Sequence, residues 1–137
     1  MKIFVFGNGN LSFNDFINYY IKPLETFLKK EDVSFLLCDF RGVDTLMMEF
    51  LKCKTNNVSI YHIGDKPRYI PDKFKTNVGD WKFINGFTSD KERDQAVIND
   101  CTHFLAYDFN SDKKRKSGTL KNIEACTALN KLCLSNS

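Results

Sequence analysis

Thr102-His103-Phe104-Leu105-Ala106-Tyr107, followed after a polar loop by Lys116-Ser117-Gly118-Thr119-Leu120-Lys121-Asn122-Ile123, is the stretch that decides the fold. The first six residues are mostly apolar and of strand length, and the second set opens a helix predicted from about Thr119 to Lys131. A glycine between two hydroxyl side chains lets backbone approach a ligand closely, and the free N–H groups and positive end of a helix favour an anion. Ser117, Gly118 and Thr119 are therefore candidate phosphate contacts. The same residue types also suit an ordinary capped helix start, and the pattern alone leaves both readings open.

Upstream, the same strand-then-helix unit recurs. Lys2 to Gly7 reads as a buried first strand that runs into Gly7-Asn8-Gly9-Asn10, either a tight turn or a loop able to approach a ligand. Ser12, with Asp15 three residues on, predicts a helix start, and apolar residues at helical spacing from Phe13 to Leu28 predict that it continues past Pro23. Val33 to Cys38 is a second strand, ending in Asp39-Phe40-Arg41-Gly42-Val43-Asp44, where a further helix begins. Arg41, Gly42 and Asp44 form a second candidate anion site, or else Arg41 simply pairs with Asp44 at a helix start.

Val58 to Ile63 completes a β-α-β-α-β pattern, which argues for a parallel sheet with helices on both faces. Gly64 to Asp80 has no sustained period and is the long loop of the domain. Trp81 to Phe87 includes a short extended segment, and Ser89 with Glu92 caps a helix that carries Arg93 near its start. Leu132-Cys133-Leu134 is a final strand candidate. The expected fold is a single α/β, three-layer, Rossmann-like domain over residues 1–137, with a mainly parallel sheet of about five strands.

Composition narrows the function classes. Twenty basic against 17 acidic residues leave a formal charge of +3, too balanced to make duplex nucleic acid the default partner but compatible with an anionic small molecule. The five cysteines include no C-x-x-C pair and mostly sit in apolar runs, as expected of reduced residues in a cytoplasmic protein. There is no signal-peptide charge order and no apolar run near the ~20 residues that span a bilayer, so no membrane partner is expected. His62 and His103 lack metal-ligand spacing; neither a metal nor a cofactor is called for. Lys113 to Lys116 is a solvated loop or a mobile positive flap beside the phosphate turn.

With these elements in place, the chain resembles the SLOG superfamily of Rossmann-like nucleotide-binding domains, which includes the LOG phosphoribohydrolases. The resemblance rests on the strand before Gly7-Asn8-Gly9-Asn10, the Asp39-x-Arg41-Gly42-Val43-Asp44 turn and the strand before Ser117-Gly118-Thr119, and it covers most of the chain in order. Lys91-Glu92-Arg93-Asp94 looks like the Arg-Lys element of the LOG enzymes, and Ser117 to Asn122 looks like their Pro-Gly-Gly-x-Gly-Thr-x-Glu-Glu turn without its glutamates. The catalytic glutamate of the similar nucleoside deoxyribosyltransferases would fall at Asn122. Breaking an N-glycosidic bond requires a carboxylate, and an amide cannot replace it.

The expected function is therefore binding of a nucleotide or nucleotide-derived signalling ligand, as sensor or sequestering protein. The ligand-binding candidates are Gly7, Asn8, Gly9, Asn10, Arg41, Gly42, Asp44, Arg93, Ser117, Gly118, Thr119 and Asn122. Phe109, Tyr69 or Trp81 would cover the base. The alternative is a nucleoside-monophosphate N-glycosidase that uses a non-standard carboxylate, Asp108 or Asp44, with Asp39 a further strand-end acid. A third reading is a ligand-free protein-interaction domain. The resemblance also implies a homodimer, because related domains pair through their helices.

Overall fold

The computed structural model describes residues 1–71 and 78–135. Residues 72–77, within the long loop expected from Gly64 to Asp80, and residues 136–137 lie outside the described residues. Strands β1 (Lys2–Val5), β2 (Ser34–Cys38), β3 (Val58–Ile63), β4 (Lys82–Phe87), β5 (His103–Leu105) and β6 (Leu132–Cys133) form one six-stranded sheet in the order β4-β3-β2-β1-β5-β6. Every pairing in it is parallel. The expected Rossmann-like α/β domain is present, with the extended segment after Trp81 contributing β4 at the edge.

Alternation along the strands explains the layers. Along β1 and the residue after it, Ile3 and Val5 enter one apolar cluster and Phe4 and Phe6 the other; on β2, Phe35 and Leu37 divide in the same way from Leu36 and Cys38. Helices α1 (Phe13–Phe16) and α2 (Lys22–Leu24), with a π-helical turn over Ile17–Ile21 between them, and α3 (Val43–Leu51) cover the first face. Helices α4 (Asp90–Asp100) and α5 (Gly118–Ala128) cover the second. Two buried faces of aliphatic and aromatic residues are what a parallel sheet requires.

The first helix differs from the expected continuous one. Pro23 has no N–H, and its ring crowds the carbonyl four residues back, so the ladder widens ahead of it: Lys22 N donates to Ile17 O. The regular helix then ends at Leu24 instead of running to Leu28. The wide turn carries Tyr20 into the core, where its hydroxyl donates to Phe6 O and accepts from Tyr107 N, joining the ends of β1 and β5.

Strands β2, β3 and β4 lie to one side of β1, and β5 and β6 to the other. The loops after β1 and β5 diverge at this reversal, and they leave a crevice beyond the carboxyl edge of the sheet. No helix among the described residues is long and apolar enough to cross a membrane.

Candidate functional site

A cleft of about 680 Å³ occupies that crevice, on the α4 and α5 side of the sheet. Of the expected binding residues, Gly7 to Asn10, Arg41, Asp44, Arg93, Ser117, Gly118, Thr119 and Asn122 all line it, drawn from three loops and from helices α3, α4 and α5. Gly42 lies just behind the wall. Its φ of 81° needs a glycine, and a Cβ there would sit 2.5 Å from both Asn8 O and Gly9 Cα. The loops after β1 and β2 therefore meet backbone to backbone, and Val43 N donates to Asn8 O at 3.4 Å.

The wall at α5 presents hydrogen-bond donors to the cleft. Ser117 caps the helix by accepting from Leu120 N at 3.0 Å, and its own hydroxyl donates to Asp108 Oδ1 at 2.7 Å. The Ser117 hydroxyl is thus committed to the fold. The N–H groups of Gly118 and Thr119 find no acceptor among the described residues and open on the cleft. A Cβ on Gly118 would meet nothing within 4 Å. Arg41 and Arg115 also line the cleft, and neither pairs with a carboxylate among the described residues. Arg41 lies over the Phe40 ring, 5.6 Å from its centroid, rather than on Asp44.

Asp108 stands behind this wall and does not line the cleft. Burial works against its ionisation. Hydrogen bonds from Ser111, Ser117, Asn8 and the Asn110 N–H outweigh that cost and bring the carboxyl down to about 2. As a candidate catalytic acid it is occupied: it organises Asn8 and Ser117. Nor is the basic loop a free flap, because Asp112 Oδ1 accepts from Lys114 N and Arg115 N, and Lys116 pairs with Glu124.

The opposite wall is acidic. Arg93, only 5% exposed in its side chain, bridges Asp39 at 3.1 Å, Asp90 at 2.9 Å and Asp94 at 2.9 Å, which makes it a buckle more than a free ligand-binding cation. Asn122 Nδ2 donates to Asp94 Oδ2 at 3.1 Å, and the Cys38 thiol, pushed up by burial, lies 3.6 Å from Asp94 Oδ1. Asp44 accepts from Phe40 N through Oδ2 at 3.0 Å. Burial pushes its carboxyl up to about 7, against the opposing pull of the Phe40 N–H and the Arg93 guanidinium, while Asp94 and Asp39 add to the rise.

That shift has a measurable consequence. A carboxyl near 7 in the fold and near 4 in the unfolded chain holds its proton longer when folded, so its contribution is lost as pH rises from about 4 through 7. Asp44→Asn is expected to stabilise the protein by up to about 4 kcal/mol above pH 7, since each pKa unit is worth about 1.4 kcal/mol, and the gain should vanish towards pH 4. Urea melts of both proteins at pH 4.5 and 8 check this; a difference independent of pH would contradict it.

Residues missed in the sequence complete the cleft. Phe40, 41% exposed, is the aromatic ring exposed at its edge, with Arg41 on one side and the Arg68 guanidinium 5.7 Å from its centroid. Its place inside the Asp39-Phe40-Arg41-Gly42 turn was the available signal. The expected base covers lie elsewhere: Trp81 is buried and donates to Thr55 O, Tyr69 bonds Glu49, and Phe109 stacks on Tyr107 and packs at a tilt against Tyr19. Asp94 and Arg115 were legible only as members of charged runs. Cys38, Cys101 and Cys126 are buried, whereas Cys133 is half-buried and Cys53 is exposed. Among the described residues, no three or more His, Cys, Asp or Glu side chains are grouped as a metal site. No protein-family model, curated protein or solved structure matches the chain.

Proposed function

We propose that the cleft binds a nucleotide or a signalling molecule derived from one, and that the protein senses or sequesters it as a member of the SLOG superfamily. The observation that carries this reading is the pair of unsatisfied N–H groups at Gly118 and Thr119, opening on a cleft that also presents two unpaired guanidinium groups, Arg41 and Arg115. Helix N-terminal amides and guanidinium groups are complementary to phosphate in both charge and geometry. A volume of about 680 Å³ suits a mononucleotide. Calorimetric titration with nucleoside monophosphates, and native mass spectrometry of gently purified protein, should show saturable binding that inorganic phosphate competes away. Absence of binding to the whole panel at millimolar concentration would overturn the reading.

A second reading, hydrolysis of the N-glycosidic bond of a nucleoside monophosphate, is favoured by one observation: Asp44 is a cleft carboxyl held near neutral pKa, as a general acid or base requires. Release of free base that disappears in Asp44→Asn would establish it. The expected homodimer belongs with these proposals. Phe13, Tyr19 and Phe109 expose aromatic surface among the described residues, and light scattering reads the oligomeric state directly.

A further inference from the structure

In open parallel sheets the carboxylate at the end of β2 commonly takes a ribose hydroxyl. Here that residue, Asp39, is unavailable. Its Oδ2 accepts from Arg68 N at 2.7 Å, and its Oδ1 from Arg68 Nη2 at 3.2 Å and Arg93 Nη1 at 3.1 Å. Asp94 is equally occupied, by Arg93 and Cys38 on Oδ1 and by Asn122 on Oδ2. Asp44 is different. Its side chain is enclosed, with the residue 5% exposed, and only Oδ2 has a donor, Phe40 N.

The second oxygen, Oδ1, has no partner among the described residues, yet no fully enclosed side-chain oxygen or nitrogen among them lacks one. Oδ1 therefore meets open space, and the space that Asp44 lines is the cleft. A carboxylate oxygen stripped of most of its water and left without a donor is unfavourable, and a ligand that brings a donor removes that cost. The donor's character follows from the neighbours. Arg93 already places positive charge beside Asp44, which disfavours a second cation, and the carboxylates of Asp44, Asp39 and Asp94 disfavour a phosphate at this end. A neutral hydroxyl fits.

We infer that Asp44 Oδ1 accepts a hydrogen bond from a sugar hydroxyl, so that the cleft takes ribose-bearing phosphate esters, phosphate at α5 and sugar turned towards the first turn of α3. This rests on the phosphate-binding reading above and adds the orientation of the ligand and the residue that reads its sugar. It also separates Asp44 from Asp39, which holds the loop containing Arg68 instead of the ligand.

The test compares three probes: ribose 5-phosphate, tetrahydrofurfuryl phosphate, which keeps the ring and phosphate but no ring hydroxyl, and inorganic phosphate. Wild type should bind ribose 5-phosphate at least about tenfold tighter than tetrahydrofurfuryl phosphate, a difference of about 1.4 kcal/mol. In Asp44→Ala, or in Asp44→Val should the alanine variant not melt cooperatively, that ratio should fall towards one while tetrahydrofurfuryl phosphate binds no more weakly than to wild type. Equal affinities in wild type, or a ratio preserved in a folded variant, would overturn the sugar assignment and leave phosphate binding standing. If none of the three probes binds, the phosphate reading falls and takes this one with it.

Discussion

Replacing Gly118 by valine is expected to weaken phosphate-ester binding at least about a hundredfold while leaving the melting temperature close to that of the unaltered protein. A Cβ at this position meets nothing within 4 Å, so the new side chain grows into open space beside the cleft that Gly118 lines and not into the core. There it covers the N–H groups of Gly118 and Thr119, the two donors that the helix leaves open. Ser117 still caps Leu120 N, so α5 keeps its start. Two charge-assisted hydrogen bonds at roughly 1.5–3 kcal/mol each set the size of the loss, since about 1.4 kcal/mol is tenfold. Titration with a nucleoside monophosphate beside a thermal melt decides it. Unchanged affinity in the folded variant would move the phosphate away from α5.

Arg93→Met is expected to cost at least about 3 kcal/mol of folding stability, the lower part of the range for removing one member of a buried ion network. Methionine keeps much of the stem's volume but abandons Asp39, whose side chain is fully enclosed, and Asp94. Arg68 still reaches Asp39, although its own side chain is 45% exposed and holds the carboxylate less firmly, which keeps the cost from rising higher. Arg93 also holds the Asp44 carboxyl down, so its removal should push Asp44 further up and deepen the loss of stability at alkaline pH. Urea denaturation at pH 7 and 8.5 measures both effects. A change below about 1 kcal/mol would mean that the loops, and not the guanidinium, hold these acids in place.

The layers of this fold are legible in the sequence because strand burial is local. Ile3, Phe4, Val5 and Phe6 alternate between clusters residue by residue, and the strand-then-helix order leaves little freedom in the topology. The cleft lining was legible for a related reason: in a parallel sheet every loop after a strand falls at the same edge. What each side chain does there was not. Arg93 is bound to a residue 54 positions away, and Asn8 Oδ1 accepts from an N–H 101 positions away. No periodicity records such partners. Local steric rules also prevailed over pattern once, where Pro23 widened the turn ahead of it in a helix that stops at Leu24 although its apolar stripe runs further.

Asn8 shows what this architecture implies for any molecule that enters. Its Nδ2 donates to Asp108 at 3.0 Å and Thr119 at 3.3 Å, its Oδ1 accepts from Phe109 N at 2.8 Å, and its main-chain oxygen receives Val43 N. One amide side chain and its backbone thus clamp the β1 loop to the β5 loop, to α5 and to α3 before any guest arrives. Little ordering entropy remains to be spent on closing walls that are already set. On the proposed reading, a bound ligand alters the charge and surface at the mouth, where Phe40, Arg41 and Arg115 stand, and leaves the shape of the walls as it is.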